Sequence, residues 1–442
     1  MKSFYARGVV LALGLVCLAR GTQAQESFGS PSLLPLPTMN QAYPGRQVAH
    51  ENLWAAPDAS PSPVLTDNAP PKPPADESVI SGDYKAAMTN EWSGSCTSGA
   101  CAAPCCQNNW FAYGGALLMT RSYGHKYNVS FDTGVPETVI CSCHNDMDYS
   151  GGFEIVAGRT FNCGCNALAV TYWGLYPSDQ ESNAYGSQMV GDLNANMDFS
   201  GLDYDNGGGA LGMDQYFDGA ARHRVTTSNT IQNVELNLLG GCCGITPWSC
   251  GYGDCCGQRL SCNWVAGIRY FQFDENFSLG SDTVDSVFDG DLDEVYYDVE
   301  TENTLWGFQL GGGLNYCINP CWSVYGNGRA GVFGNSMDVY QRVYGGNGGA
   351  VVNAGAFAGD SCAINTGDTR LAVMGQIDAG VKWQISCRWS ATAGYRVLGV
   401  SGVALLSEQI PNDITNLGAM REVDSSGALL LHGGYLGAQF CF

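Results

Sequence analysis

From residue 109 onward, apolar and polar side chains alternate in successive runs along the chain. In the run 369–384, Leu371, Val373 and Ile377 occupy one set of alternate positions, and Gln376 and Asp378 occupy the other. Because successive side chains of a β-strand point to opposite faces, the pattern predicts strands with one apolar and one polar face. Ten strands are predicted, at 109–121, 150–161, 166–177, 229–239, 259–273, 303–316, 321–334, 369–384, 387–399 and 427–442.

The connections between these strands alternate in length. The joins 162–165, 317–320 and 385–386 are short and 240–258 is intermediate, whereas 122–149, 178–228, 274–302, 335–368 and 400–426 are long. Long loops at one end and short turns at the other are typical of outer-membrane β-barrels. A count of twelve strands stays open, because 178–228 or 335–368 has room for a further hairpin.

The final strand is the clearest indication of a closed barrel. Leu436, Phe440 and Phe442 lie on one face of this strand, and the sequence ends on an aromatic residue. This terminus resembles the strand by which outer-membrane barrels are closed and recognised for insertion. We therefore expect these three residues to lie on the barrel-closing strand, with outer-membrane lipid and the barrel-assembly machinery as partners.

Tryptophans near the strand ends favour a membrane barrel over a soluble β-sandwich. Their positions suit an aromatic girdle at the membrane interface, and they are Trp110, Trp173, Trp264, Trp306, Trp322, Trp383 and Trp389. The predicted fold is therefore all-β, a single antiparallel transmembrane β-barrel of about 10–12 strands over residues 109–442.

The residues before the barrel divide into three segments. Residues 1–24 have a basic start, an apolar run and a small-residue cleavage site near Ala24, which predicts a cleaved signal peptide and export to the outer membrane of a diderm bacterium. Residues 25–92 hold most of the prolines and predict a disordered linker. Residues 93–108 predict a cysteine-rich collar ahead of the first strand.

Composition agrees with strands and turns rather than helices. The chain has 59 Gly, 22 Tyr and 17 Phe, and only 14% of its residues are charged. The formal net charge of −22 argues against a nucleic-acid-binding surface. No other segment approaches the length of an apolar transmembrane helix, so a membrane-embedded chain is expected to cross with strands.

Several segments rich in glycine and aromatic residues support a family resemblance. The segments Trp110–Arg121, 150–159, 265–271 and 302–311 resemble strands of the β-barrel outer-membrane proteins abundant in planctomycetes. The resemblance covers about 109–442. It implies a porin-like barrel with no defined substrate, no cofactor and no catalytic residues to transfer.

Cysteines cluster at the predicted short-turn end of the barrel. Disulfides are the default in an exported chain, and the candidates are Cys96, Cys101, Cys105, Cys106, Cys163, Cys165, Cys242, Cys243, Cys250, Cys255, Cys256, Cys317 and Cys321. Local disulfides in the periplasmic turns are the favoured interpretation. The alternative is covalent attachment to other envelope proteins.

The predicted loop 274–302 is strongly acidic. Between Glu275 and Glu302 there are ten carboxylates and no Lys or Arg. A solvated acidic loop is favoured over a calcium site, because Glu294 occupies the position where an EF-hand loop requires glycine. The weak calcium candidates are Asp289, Asp291, Asp293 and Glu294, and no firm metal site is predicted.

The polar faces of the strands predict a charged lumen. The candidates that face it are Glu235, Arg269, Arg329, Asp378, Lys382, Arg388 and Arg396. Buried charges of opposite sign are expected to pair, and a barrel of this size lies between those filled by side chains and open porins. The lumen is therefore expected to be plugged or narrow.

Three apparent enzyme motifs lack the necessary context. The glycine motif 326–331 falls within a predicted strand rather than before a helix, and Asp132-Thr133-Gly134 has no second copy to form an aspartic-protease dyad. No nucleophile elbow is present. We therefore predict a non-enzymatic structural or narrow-pore barrel. The alternatives are surface adhesion or divalent-cation binding and, more remotely, a hydrolase using His125 or His223.

Overall fold

The computed structural model describes residues 110–122, 126–135, 137–142, 149–162, 164–176, 179–241, 259–386, 388–414 and 416–442. The segments predicted as signal peptide, linker and collar (1–24, 25–92 and 93–108) lie outside the described residues. Among the described residues, no helix is long and apolar enough to cross a membrane.

Ten long strands form a closed antiparallel ring. They are β1 (Trp110–Arg121), β4 (Ser150–Phe161), β5 (Asn166–Leu175), β10 (Arg222–Gly241), β11 (Leu260–Asp282), β12 (Glu294–Asn319), β13 (Trp322–Gly345), β16 (Ala363–Gln384), β17 (Trp389–Val403) and β18 (Gly427–Cys441). Each pairs with the next in this order, and β18 pairs with β1 from Phe111↔Cys441 to Arg121↔Leu431. The all-β barrel and the count of ten ring strands predicted from the sequence are thus confirmed.

The remaining elements are short and belong to the connections. The strands are β2 (Asn128–Asp132), β3 (Glu137–Cys141), β6 (Gln180–Tyr185), β7 (Leu193–Ala195), β8 (Leu202–Asp205), β9 (Ala210–Gly212), β14 (Gly348–Gly349) and β15 (Val351–Val352). The helices are α1 (Asp214–Phe217), α2 (Leu406–Gln409) and α3 (Leu417–Met420). The described parts of 178–228 and 335–368 therefore contain small sheets and strand extensions, but no further ring strand.

Five neighbouring ring strands are much longer than a membrane requires. Strands β10, β11, β12, β13 and β16 have 20, 23, 26, 24 and 22 residues, whereas about ten suffice to span a bilayer. The loops predicted at 274–302 and 335–368 are therefore shorter in the structure, because strand residues occupy part of each range. Their alternation continues with polar side chains outward, as at Glu300 and Glu302, and Val299 and Thr301 are buried.

The extended strand ends and the long connections form a second packed region, which we call the head. Its apolar core draws residues from β2, β8, β11 and β12 and from the segments 195–217 and 406–420. Within this core, the rings of Phe199 and Phe217 stack with centroids 3.9 Å apart. A packed head, rather than a set of solvated loops, therefore occupies the long-loop end.

A belt of exposed apolar side chains surrounds the ring. Phe308, Leu371, Ile377 and Leu436 are each more than 60% exposed. Near the short turns, the belt ends in exposed tryptophans at Trp110, Trp264, Trp322, Trp383 and Trp389. Lipid covers such a belt in a membrane barrel, whereas a soluble sandwich would bury it.

One of the tryptophans predicted for the outward-facing aromatic girdle points into the ring instead. Trp173 is fully buried inside the ring, where its indole packs against Phe271 with centroids 6.1 Å apart. The alternation along β5 places Leu168, Val170 and Tyr172 outward and therefore Trp173 inward. The alternation of inward and outward residues along the strand therefore predicts the direction of Trp173 correctly, whereas its position near a strand end does not.

Candidate functional site: a paired charge layer in the lumen

Five of the seven predicted lumen residues meet in one ion-pair network. Arg329 binds Glu235 Oε2 at 2.5 Å and Asp378 Oδ2 at 3.1 Å. Arg396 Nε lies 2.6 Å from Asp378 Oδ1, and Arg269 Nε lies 3.7 Å from Glu235 Oε1. The side chains of Glu235, Asp378 and Arg396 are at most 6% exposed, so these charges pair away from bulk solvent.

Glu154 completes the network and was missed by the sequence interpretation. Arg396 Nη2 donates to Glu154 Oε1 at 3.0 Å. The carboxylates of Glu154, Glu235 and Asp378 are matched by three arginines, so the formal charges of the network sum to zero. The alternation along β4 could have indicated this residue, because Glu154 lies on the same strand face as Val156 and Thr160, which are buried.

Neutral amides add hydrogen bonds to the carboxylates of the network. Asn237 Nδ2 and Gln309 Nε2 each donate to Glu235 Oε2 at 2.8 Å. Gln376 accepts from Arg269 Nη1 at 3.0 Å and donates to Asp378 Oδ2 at 2.8 Å. Buried charges are tolerated when they are paired and hydrogen-bonded in this way. We call the six charged residues and these amides the charge layer.

The other two predicted lumen residues lie elsewhere. Lys382 is half-buried, with Nζ 3.4 Å from Gln439 Oε1, towards the short turns. Arg388 is exposed in the turn before β17 and takes no part in the charge layer. The backbone N–H of Arg388 and that of Trp389 both donate to Ser386 Oγ. The turn thus interrupts the alternation that was extrapolated back to Arg388.

An apolar layer lies beside the charge layer inside the ring. Trp173, Phe271, Phe273, Leu305 and Phe333 belong to one buried cluster, each at most 1% exposed. The guanidinium carbons of Arg269 and Arg396 lie 6.0 and 5.6 Å from the Trp173 ring centroid, so the two layers are in contact. Aromatic rings therefore pack inside the ring next to the paired charges.

A small cavity with both polar and apolar walls lies among the residues of the charge layer. Its volume is about 60 Å³, and it is lined by Tyr113, Asn237, Tyr325 and Tyr435 together with Arg329 and Arg396. The hydroxyls of Tyr325 and Tyr435 lie 2.7 Å apart. A cavity of this volume has room for a few water molecules, which the polar groups on its wall could bind.

The acidic candidates for calcium do not converge on one point. Glu294 Oε1 accepts from the backbone N–H groups of Asp289, Gly290 and Asp291 at 2.6, 2.7 and 3.2 Å, and its other oxygen accepts from the Tyr296 hydroxyl. Across the described ranges, no group of three or more His, Cys, Asp or Glu side chains is placed to hold a metal. Glu294 therefore holds the backbone of its own loop in place.

The residues of the apparent enzyme motifs have structural partners. Asp132 accepts backbone N–H groups from Val190, Gly134 and Gly191, each at 2.8 Å, and these bonds lower the pKa of its carboxyl. His223 is fully buried, 2.8 Å from Ser130 Oγ and 3.0 Å from the Phe217 carbonyl oxygen. The glycine motif 326–331 lies within β13, and His125 lies outside the described residues.

The terminal strand lies where the sequence placed it. Leu436 pairs with Ala116 and Phe440 with Ala112 across the β18–β1 seam. Beyond the last paired residue, the backbone of Phe442 exchanges two 3.0 Å hydrogen bonds with Trp110. The side chains of Leu436 and Phe442 are exposed on the apolar belt.

Only three of the predicted disulfide candidates fall among the described residues. Cys165 has a free thiol, so no disulfide forms at this position in the structure. The sulfur of Cys317 accepts a hydrogen bond from Asn315 Nδ2 at 3.8 Å, and Cys321 opens the turn into β13. The remaining candidates, Cys96, Cys101, Cys105, Cys106, Cys163, Cys242, Cys243, Cys250, Cys255 and Cys256, lie outside the described residues.

The closed ten-stranded ring, the apolar belt with its aromatic edges and the charged interior define an outer-membrane β-barrel. Residues 227–424 match the model of the family described as "Putative beta barrel porin-7 (BBP7)". This match confirms the resemblance to porin-like outer-membrane barrels that the sequence indicated.

Solved structures of low identity are also similar to this chain. The outer membrane protease OmpT from Escherichia coli is 11% identical, with 76% of this chain and 97% of that chain covered and a TM-score of 0.36. A major outer membrane protein from Thermus thermophilus is 12% identical, with 76% of this chain and 100% of that chain covered and a TM-score of 0.27. CarO from Acinetobacter baumannii is 16% identical, with 74% of this chain and 97% of that chain covered and a TM-score of 0.22. No curated protein matches the chain in sequence.

Proposed function

We propose that this protein is a closed, structural outer-membrane barrel that holds a folded head outside the cell, rather than an open channel. The observation that carries the proposal is the neutral charge layer packed against the apolar layer inside the ring. Of the two functions that the sequence favoured, structural component and narrow pore, these layers favour the first.

The physical argument rests on the cost of passing an ion through the lumen. An ion crossing the apolar layer would leave water without gaining a partner, which costs several kcal/mol even after relaxation. In the charge layer it would have to displace an arginine or a carboxylate from a paired position. The cavity among these residues has a volume of only about 60 Å³, room for a few water molecules rather than for a path through the ring.

Conductance in a planar bilayer tests the proposal. The refolded full chain is expected to insert without discrete current steps, after its folding has been verified by heat-modifiable gel mobility. The triple variant Trp173→Ala, Phe271→Ala and Phe333→Ala is expected to conduct, because it removes three large buried rings from the apolar layer. Trp306→Ala, which changes an exposed ring of the belt, serves as the silent control.

Discrete steps from the unaltered protein would contradict the proposal and support the narrow-pore alternative. A triple variant that folds and stays silent would show that the apolar layer is not the barrier. The charge layer would then be tested by Arg269→Ala with Arg396→Ala.

We further propose that disulfides stabilise the periplasmic turns. Support comes from Cys321 and Cys441, which are disulfide-bonded near the short-turn end, although Cys165 is a free thiol. Peptide mass mapping of the exported protein without reduction is expected to find most turn cysteines in local pairs. Finding mostly free thiols would refute this, and links to other chains would favour attachment to envelope proteins.

The proposal assigns no catalytic residue. His223, the described histidine considered for hydrolysis, is buried between Ser130 and a carbonyl oxygen. For targeting, we propose export through a cleaved signal peptide and insertion by the barrel-assembly machinery through the β18 terminus. The family match supports the outer-membrane location.

A further inference from the structure

A row of aromatic rings and guanidinium groups crosses the outer surface of the head. Arg224, Gly280, Tyr296 and Tyr344 are register partners on β10, β11, β12 and β13. Phe288 lies over Gly280, where a Cβ would come within 2.9 Å of its ring. Glycine at 280 thus leaves room for the ring close to the strand backbone. We call Arg224, Phe288, Tyr296, Tyr344 and Arg342 the arginine–aromatic strip.

Successive members of the strip are in contact. The Arg224 guanidinium carbon lies 4.0 Å from the Phe288 ring centroid. The Phe288 and Tyr296 centroids are 6.0 Å apart, and the Tyr296 and Tyr344 rings stack at 5.4 Å. Arg342 lies 4.2 Å from the Tyr344 centroid and ends the row. The strip is therefore a continuous surface, half-buried along its length.

The guanidinium group of Arg224 has N–H donors that are available to a ligand. Arg342 donates twice to Asp298 Oδ2 and is thereby neutralised. Arg224 makes no ion pair or side-chain hydrogen bond with any of the described residues, and its guanidinium contacts the Phe288 ring. A stacked arginine is oriented by the ring and can bind a carboxylate or phosphate with two parallel hydrogen bonds. In a chain of net charge −22, this is a local attraction for anions.

The height of the strip indicates what lies beside it. Trp306, 60% exposed and packed on Tyr270, marks the aromatic edge of the belt on β12. Tyr296 is ten residues further along the same strand, which places it roughly 25 Å above that edge for a strand tilted by about 40°. At this height, and facing sideways, the strip meets the saccharide part of neighbouring glycolipids rather than their acyl chains.

We propose that the arginine–aromatic strip binds acidic saccharide of the glycolipids that surround the barrel in the outer leaflet. Arg224 would bind a carboxylate or phosphate of the sugar, while the rings of Phe288, Tyr296 and Tyr344 would pack against its C–H surfaces. This binding is independent of the closed lumen.

Two probes test the saccharide chemistry with the full chain in nanodiscs. Thermophoresis is expected to show saturable binding of tetragalacturonic acid and much weaker binding of neutral maltotetraose. Arg224→Ala and Phe288→Leu are each expected to weaken tetragalacturonate binding at least tenfold. Arg370→Ala is the matched control, because Arg370 is an exposed arginine on β16 paired with Asp368 at 2.6 Å.

A second measurement tests the source of the saccharide. Native mass spectrometry is expected to find lipopolysaccharide with an acidic core retained by the unaltered protein, and less of it on Arg224→Ala. Lipid A, which carries phosphates but no core saccharide, is expected to be retained equally by both. The proposal fails if no acidic probe binds, if Arg224→Ala and Arg370→Ala behave alike, or if lipid A shows the same Arg224 dependence as the core-bearing lipid.

Discussion

At the scale of single residues, burial decides the protonation state of His223. The ring is fully enclosed by the head, and the loss of solvation lowers its pKa to about 4, partly offset by its hydrogen bond to the Phe217 carbonyl. Sequence alone marked this histidine as a remote catalytic candidate. Its enclosure depends on the folded connections, which the strand pattern did not predict.

The head is expected to lose stability on acidification. An unfolded histidine titrates near pH 6.5, so between pH 6.5 and 4 the unfolded chain binds a proton that the folded head does not. The free energy of unfolding therefore falls as pH drops through this window, by roughly 3 kcal/mol in total. Hydrogen exchange of the head core at pH 7 and pH 4.5 measures the change.

His223→Gln removes the titrating group and is expected to flatten this pH dependence. The control is His432→Gln, which changes a histidine that binds Tyr395 on the outer surface of the ring. An unchanged slope in His223→Gln would mean that other groups in the head cause the acid sensitivity.

At the scale of elements, the charge layer joins strands that are not neighbours in the ring. Glu154 on β4 binds Arg396 on β17, although β1 and β18 lie between these strands. Glu235 on β10 likewise binds Arg329 on β13. These ion pairs span the lumen and hold its cross-section, which hydrogen bonds between adjacent strands cannot do.

Removing one partner of such a pair is expected to be costly. Glu154→Gln leaves Arg396 with Asp378 as its remaining ion partner, and the loss of a buried partner costs about 3–5 kcal/mol. The temperature at which the barrel loses its heat-modifiable gel mobility is expected to fall clearly. The surface variant Asp368→Asn, whose arginine partner is 62% exposed, should change stability by less than about 1 kcal/mol. Equal effects of the two variants would argue against cross-lumen bracing.

At the scale of the whole molecule, the sequence predicted the membrane-embedded half better than the head. Alternation with apolar residues outward, as in 369–384, located the ring strands, and parity placed Glu235, Arg269 and Asp378 inside. In the head the outward positions become acidic, so strand residues such as Glu300 were taken for a loop. The small sheets of the connections depend on contacts far apart in sequence, such as Asp132 with Val190, which no local pattern contains.

The uninterrupted strands also determine how the head can move. Strand β12 runs 26 residues from the head to the short turns, about 85 Å along its length, and its neighbours accompany it as one hydrogen-bonded sheet. A head built on such strands has no hinge at the membrane surface. It keeps one orientation to the membrane plane, so its sides always face the surrounding leaflet and a pull on the head is transmitted along the strands into the bilayer.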